Sequence, residues 1–377
     1  MTAIPLILQV TETATGGVGR HMRDLLTGLD AVRFRQAAVV ARERTPVDWE
    51  AGLPWPVRRI GVRRNLQPLA DAAAYRELLA IMRELQPDVV HAHSSKAGFL
   101  ARRAAWRLGI PAVYTPHVFA FQAATGVRGE LYVRLERRAA HWGRRILTVG
   151  EAEREEALAR RICAPEQITL IRNGVRPEDY RHAPGRAYRS SLGVPADAEL
   201  LLAVGELRPQ KDYGLLLEAL AHLVPARPRL RCLIAGQGAE GSALRGLAER
   251  LRVVDRVTFL GHREDAAELL GAADALVMTS RYEGCPYALL EAMAAGTPVV
   301  AAPAPGVDEL ARGGTALLAG DRRPEALAEA IAATLDDPEA ARERADRAQA
   351  KIAQDYTIDR MLAEIAALYD QCLTPSR

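Results

Sequence analysis

Two glutamates eight residues apart, Glu283 and Glu291, flank a turn in Ser280–Val300 (SRYEGCPYALLEAMAAGTPVV). The apolar run ahead of it, DALVMTS, reads as a strand. Pro286 falls near the first turn of the helix expected next, a favoured place for proline. Gly296 should end that helix, and Pro298 leads into another strand. A helix start of this kind offers unpaired backbone N–H groups and a positive dipole end, which suit a phosphate. Were the stretch wholly helical, the two carboxylates would lie about 12 Å apart along the axis. That is wider than the roughly 5–9.5 Å of a carboxylate pair that cleaves glycosidic bonds. It suits two anchors at separate ends of one elongated ligand. Taken singly, each is as readily a loop or helix-surface glutamate.

A second segment, Leu201–Leu217 (LLAVGELRPQKDYGLLL), ends a strand at Gly205 and begins a helix near Asp212. Its loop presents Arg208 and Lys211. Two cations beside a helix start can neutralise a departing diphosphate, each charge-assisted hydrogen bond being worth about 1.5–3 kcal/mol. On its own a basic loop is usually just solvated. Gly236 and Gly238 close another strand (IAGQG), and Leu260–His262 (LGH) closes a further one; both are weak signals.

In the first half, Thr13–Arg20 (TATGGVGR) joins a strand to a helix. Gly16 and Gly17 would let backbone approach an anion there. The dinucleotide fingerprint is not met, since Met22 stands where a third glycine belongs after Gly17 and Gly19, and the P-loop pattern is absent as well. Two later strands end in histidines. His91, His93, Ser94 and Lys96 follow DVV, and His117 follows PAVYTP. Such a histidine can bind a sugar hydroxyl or move a proton. His91 reads best as a core residue, whereas His93, Ser94 and Lys96 are acceptor-side candidates. A zinc site from His91, His93 and His117 is conceivable, but no carboxylate or cysteine clusters with them in sequence, so no metal is expected.

The elements that carry these loops alternate along the whole chain. Short apolar runs such as Pro5–Val10, Ala112–Thr115 and Leu200–Val204 alternate with amphipathic stretches such as Val18–Leu29 and Ala97–Leu108. Repeated βα units imply doubly wound parallel sheets. A length of 377 residues suggests two domains at roughly 150 residues each. The periodicity breaks in the polar, proline-bearing stretch 177–195. An N-terminal Rossmann-like domain over 1–180 and a C-terminal one over 181–356 are therefore expected, with the last helix, about 357–377, packing back on the first. Their strand ends would face a central cleft.

About half the residues are hydrophobic and about a quarter charged, which excludes disorder. No apolar run reaches the roughly 18 residues of a membrane span. The N-terminus lacks a basic lead, so no cleaved signal is expected. Four scattered cysteines argue against a disulfide framework, and a cytoplasmic location is expected. The net charge of +3 hides an asymmetry. Residues 1–189 carry 30 basic and 19 acidic side chains, net +11, and residues 190–377 carry 20 and 28, net −8. Arginines cluster at Arg102, Arg103 and Arg107, then at Arg134, Arg137, Arg138, Arg144 and Arg145, and helical spacing puts several on one face beside Trp106, Tyr132 and Trp142. An Arg-rich aromatic face can lie on anionic lipid; a plain solvated face is the alternative. No nucleic-acid module is present.

The Glu283–Glu291 segment resembles the E-x7-E signature of the retaining glycosyltransferases of family 4, which have the GT-B fold. The resemblance covers nearly the whole chain. It implies that Glu283 contacts a donor sugar and that Glu291 holds the nucleotide ribose. Backbone of Gly284, Cys285, Pro286, Tyr287, Ala288 and Leu289 would face the sugar and phosphate. The Gly205 loop is similar to the family's G-R-L…K loop, with Lys211 at the lysine. Here Glu206 replaces the usual arginine, and Arg208 is expected to supply the missing charge. Gly16 and Gly17 match a glycine pair near the diphosphate, Gly236 and Gly238 a turn near the nucleotide, and His262 a base-contacting segment. His117 matches a histidine beside the reacting sugar. Asn173-Gly174-Val175 resembles a structural turn before the linker. Asp-x-Asp, which holds a divalent metal on the diphosphate in the other common glycosyltransferase fold, is absent, so no cofactor or metal is expected.

The expected reaction is transfer of a sugar, UDP-linked in view of the family, to a saccharide or undecaprenyl-linked acceptor during bacterial cell-surface polysaccharide synthesis, on the inner face of the plasma membrane. The oligomeric state is left open. A sugar-nucleotide epimerase or hydrolase, or a non-catalytic subunit that binds a nucleotide-sugar, would share the nucleotide site.

Overall fold

The computed structural model describes residues 4–63, 66–181 and 185–374. Residues 182–184 of the linker stretch, and 375–377 beyond the last helix, lie outside the described residues. The chain separates into two compact units: residues 1–173 with 358–377, and residues 174–357. The first unit ends a few residues ahead of the stretch where the periodicity breaks.

Unit 1 holds a seven-stranded parallel sheet. Its strands are β1 (Leu6–Thr11), β2 (Arg35–Ala41), β3 (Val57–Ile60), β4 (Val89–His93), β5 (Ala112–Thr115), β6 (Arg145–Thr148) and β7 (Ile168–Leu170), in the spatial order 3-2-1-4-5-6-7. Its crossover helices are α1 (Gly16–Gly28), α2 (Pro68–Leu85), α3 (Ser95–Leu108), α4 (Gly126–Ala140) and α5 (Glu151–Ala159). In unit 2 a six-stranded parallel sheet runs in the order 10-9-8-11-12-13. Its strands are β8 (Glu199–Val204), β9 (Leu230–Ala235), β10 (Val257–Gly261), β11 (Ala275–Met278), β12 (Val299–Ala301) and β13 (Leu317–Leu318). They alternate with α6 (Tyr213–Leu223), α7 (Gly241–Arg250), α8 (Ala266–Ala272), α9 (Tyr287–Ala295), α10 (Val307–Ala311), α11 (Pro324–Asp336) and α12 (Pro338–Asp355). The final helix, α13 (Ile358–Leu373), belongs to unit 1. Both sheets are doubly wound, as the βα alternation implies.

Strands covered on both faces must be apolar along their length. β8 (ELLLAV) obeys this, with Leu200, Leu201, Leu202 and Ala203 fully buried. The central strands of unit 1 depart from it. Gln9, Thr11, His91, His93 and Thr115 are all fully buried on β1, β4 and β5. Buried polar groups need partners or lose about 1–3 kcal/mol each. These five cluster where β1 lies between β2 and β4 and the strand order reverses. Open parallel sheets place their ligand loops at that point.

Two strands escape the periodicity, β3 (VRRI) and the two-residue β13. Both sit at a sheet edge, where half-exposed sequence carries little apolar signal.

Candidate active site

In unit 2 the order reverses at β8, which lies between β9 and β11. The loops after β8 and β11 therefore emerge side by side, and they carry Lys211 and Glu283. Lys211 Nζ donates to Glu283 Oε1 at 2.6 Å, with the two side chains only 13% and 9% exposed. The sequence does not announce this pair. It was expected that the lysine would await a diphosphate and the glutamate a sugar; the two also neutralise each other.

The two loops are sewn together. Gln210 donates its side-chain amide to the Tyr282 carbonyl at 2.7 Å, and the Arg281 N–H donates to the Gln210 carbonyl at 2.8 Å. Thr279 Oγ1 donates to the Lys211 carbonyl at 2.8 Å. Arg322 clamps both: its guanidinium donates to the carbonyls of Ser280 and Thr279 and to Asp212 Oδ2, at 2.7–2.8 Å. Sequence reading missed Arg322, which lies outside every motif. Behind Lys211, Tyr213 donates to the Gly205 carbonyl. Burial, and then the nearby Glu283 charge, push its phenol well above the usual range.

Gly306 sets the height of the Glu283 loop. Its φ is +80°, and a Cβ there would stand 2.2 Å from the Glu283 carbonyl oxygen. The Glu283 N–H donates to the Pro305 carbonyl at 2.9 Å. Glu283 itself precedes α9, so the spacing of a continuous helix does not apply between the glutamates. Pro286 is the residue before the first helical one, and Gly296 ends α9 in the left-handed conformation (φ +71°). Glu291 is buried rather than on the helix surface. Gly284, Cys285, Pro286 and Tyr287 are buried and Ala288 half-buried around this turn. Leu289 does not fit its expected place. Its side chain is in the core and its N–H donates to the Pro286 carbonyl, so its backbone serves the helix.

Arg208 only partly meets its expected role. Its Nη1 lies 3.7 Å from Glu206 Oε2, so the glutamate that stands in the arginine's place draws on its charge. Its Nε is buried with no partner among the described residues. Gly236 and Gly238 have a packing reason to be glycine: a Cβ on Gly236 would lie 1.9 Å from the Gly205 carbonyl oxygen. His262 is exposed at the end of β10.

The unit 1 candidates gather at the ends of β1, β4 and β5. Gly16 opens α1 with φ +54°, and Gly17 follows in its first turn. His93 Nδ1 and His117 Nε2 are 3.1 Å apart, and their rings stack at 5.4 Å. His91 is a core residue, bonded to Tyr369 of α13 at 2.6 Å and to Thr115 at 2.8 Å. His21 of α1 joins them unforeseen, edge-on to His117 at 4.8 Å and bonded to Asn173 at 3.1 Å. Its one cue in the sequence is a polar residue on the apolar face of an amphipathic helix. Burial holds all four imidazoles in the neutral form, lowering His21 to about 4 and the others well below 6.5. His21, His93 and His117 each bring one nitrogen within 4.8 Å of the others, the set best placed to hold a metal ion among the described residues. It is not the set of strand-end histidines alone.

Strain marks the same place. Ser94, His117 and Val118 have φ of +65°, +52° and +95°, costly for residues other than glycine. Glu153 holds Val118 there, accepting N–H bonds from Val118 at 2.7 Å and Val149 at 3.0 Å. Burial raises its carboxyl to about 7. Lys96 does not stand free on the acceptor side: it pairs with Asp71 of α2 at 2.6 Å.

The basic face needs one correction. Arg102 is fully buried, paired with Glu136 at 2.7 Å and stacked 3.8 Å over Tyr114. Arg103 and Arg138 lie over Trp142, and Trp106 is 61% exposed. No helix among the described residues is long and apolar enough to cross a membrane.

Two doubly wound parallel α/β units in one chain, with their loops at the strand-order reversal, are the architecture of the GT-B class of glycosyltransferases. Residues 16–174 match the family described as a glycosyl transferase 4-like domain, and residues 186–351 the family described as glycosyl transferases group 1. The chain belongs to this glycosyltransferase family. It is 32% identical over 316 residues to a D-inositol 3-phosphate glycosyltransferase of Streptomyces scabiei, covering 77% of this chain and 69% of that one. It is 31% identical over 244 residues to the UDP-Gal:alpha-D-GlcNAc-diphosphoundecaprenol alpha-1,3-galactosyltransferase of Escherichia coli, covering 63% of each. The chain spans less than two thirds of the length of the first curated relatives it matches. A crystal structure of Anabaena HepE in complex with UDP and glucose shares the fold, with a TM-score of 0.84, 23% identity, and coverage of 97% of this chain and all of that one.

Proposed function

We propose that this protein transfers a sugar from a UDP-linked donor to a saccharide or lipid-linked saccharide acceptor, with retention of anomeric configuration, in cell-surface polysaccharide synthesis. The observation that carries this reading is the Lys211–Glu283 pair, 2.6 Å apart on adjacent strand-end loops. One cation and one carboxylate held side by side suit the two halves of a nucleotide-sugar, the diphosphate and the hexose. In this reading Lys211, assisted by Arg208, stabilises the departing diphosphate. Glu283 orients the sugar, Glu291 the ribose and His117 the reacting side of the sugar. Unit 2 takes the donor and unit 1 the acceptor.

Three finer points belong to the same proposal. Helix ends and Lys211 take the place of a divalent ion on the diphosphate. The acceptor attacks from the leaving-group face, without a protein nucleophile. The exposed arginines and Trp106 rest on an anionic membrane surface. The undecaprenyl-linked acceptor in the Escherichia coli relative's name, and UDP in the HepE crystal, support the choice of ligands.

Ligands that bind only the folded protein raise its melting temperature. UDP and UDP-sugars should do so where GDP, ADP and CMP sugars do not, and NMR of the product should show the donor's anomeric configuration kept. A panel with no uridine-specific shift would remove the donor assignment. Turnover lost to EDTA and restored by manganese would remove the metal-free mechanism, and equal binding to neutral and anionic vesicles the membrane contact.

A further inference from the structure

The buried polar residues of unit 1 form one directional chain of hydrogen bonds, and it begins at a backbone carbonyl. Gln36 Nε2 donates to the Leu25 carbonyl at 3.0 Å. A carbonyl oxygen can only accept, so this bond fixes which way the Gln36 amide points. Gln36 Oε1 then accepts from Gln9 Nε2 at 3.3 Å. The same Gln9 nitrogen donates to the Tyr369 hydroxyl at 3.1 Å. The Gln9 amide is thereby oriented too, and its oxygen faces His93 Nε2 at 3.0 Å. An amide oxygen requires a proton on that nitrogen. A neutral imidazole carries only one, and burial keeps His93 neutral, so His93 Nδ1 holds a lone pair. Its neighbour at 3.1 Å is His117 Nε2, which must donate. The remaining nitrogen, His117 Nδ1, is left as a bare acceptor with no partner among the described residues.

We propose that Gln9, oriented through Gln36 by the Leu25 carbonyl, fixes the tautomers of His93 and His117 so that His117 Nδ1 stands as a preset hydrogen-bond acceptor for a sugar hydroxyl. Gln9 and Gln36 are positioning residues, and His117 is the group that meets the ligand. The role of His117 rests on the glycosyltransferase reading above; the tautomers do not.

The backbone supports the assignment. His117 and Val118 keep positive φ, and the buried Glu153 carboxyl holds the Val118 N–H. A ring anchored at its backbone and at Nε2 has one nitrogen left to offer. An acceptor at that point binds a hydroxyl and repels a carboxylate, so it selects neutral sugars over uronic acids. The branch through Tyr369 agrees with this order. Having accepted from Gln9, its hydroxyl is free to donate to His91 Nδ1, so the proton of His91 sits on Nε2 and is given to Thr115 Oγ1.

The test is NMR of the full chain labelled with nitrogen-15 in its eight histidines, at neutral pH. In the free protein, His117 should show a protonated Nε2 and a pyridine-like Nδ1, and His93 the same pattern. Adding UDP-glucose should shift His117 Nδ1 further than UDP alone does. In Gln9→Met, which keeps length and removes the amide, the His93 and His117 signals should become those of mixed tautomers. There kcat should fall about tenfold while the donor KM changes less than about threefold, as expected when one well-aimed bond is lost in the transition state. Thermal unfolding of Gln9→Met identifies a variant that fails to fold, and Gln36→Met then serves in its place. A proton on His117 Nδ1 in the free protein, or unchanged tautomers in a folded glutamine variant, would overturn the proposal. If the tautomers are as stated and no sugar moves His117, the sugar contact falls.

Discussion

Replacing Lys211 by alanine separates its pairing with Glu283 from the diphosphate role proposed for it. In the free protein its ammonium neutralises Glu283 at 2.6 Å, with both side chains nearly buried. Removing one member of a fully buried pair costs about 3–5 kcal/mol, because the other charge is stranded. Here each side chain keeps a solvent-facing edge, so about 2 kcal/mol is expected for Lys211→Ala. The lost contact to a diphosphate is worth a further 1.5–3 kcal/mol in the transition state, or about ten- to a hundredfold in kcat. Adding Glu283→Ala removes the stranded carboxylate. The double variant should therefore recover most of the lost stability and none of the lost turnover. Denaturant midpoints give the first quantity, and UDP release under saturating donor the second. If Lys211→Ala folds and turns over at the wild-type rate, or if the double variant regains activity, the lysine serves only Glu283 and the phosphate role is refuted.

Acid should weaken unit 1. The folded pKa of His21 is about 4 against 6.5 unfolded, so the unfolded chain takes up its proton first as pH drops. Stability is full above pH 6.5 and falls by about 3 kcal/mol toward pH 4 for this histidine alone. His91, His93 and His117 act in the same direction. Glu153, raised from 4.5 to about 7, opposes them with a single proton between those limits. All four tryptophans lie in unit 1, so their fluorescence in urea reads this effect, and a midpoint no lower at pH 5 than at pH 7 would contradict it. Gly306→Ala should displace the Glu283 loop and abolish UDP protection in thermal unfolding, since neither its φ nor its 2.2 Å approach tolerates a methyl group; unaltered protection would show that the loop's height is immaterial. Arg322→Leu should cost about 1–3 kcal/mol and weaken nucleotide binding with no change at the ligand-facing side chains. Calorimetric titration with UDP measures that, and an unchanged affinity would deny the clamp.

The motif-bearing loops of unit 2 were legible because glycine, proline and glutamate spacing each impose a turn, a helix start or a strand end, and all three agree over Ser280–Val300. The partners of those loops were not. Arg322 reaches them from more than forty residues along the chain, and nothing local distinguishes it from the other arginines of the sequence. Arg102 shows the opposite error. Helical spacing set it among surface cations, yet Glu136 and the Tyr114 ring bury it, and a pairing between two helices leaves no periodic trace. His91 was legible as a core group from its place within an apolar strand. His21 was not, because one polar residue on an apolar helix face looks like an ordinary interruption. Edge strands β3 and β13 escaped for want of a buried face.

The return of α13 to unit 1 has a consequence during synthesis. Tyr369 completes the polar centre of the first unit, yet it leaves the ribosome nearly two hundred residues after Asn173. At about 5–20 residues per second, the nascent amino-terminal half waits some ten to forty seconds with His91 and Gln9 lacking a neighbour. Through that interval all of unit 2 emerges and can mature first. The unit begun earliest is thus the one finished last.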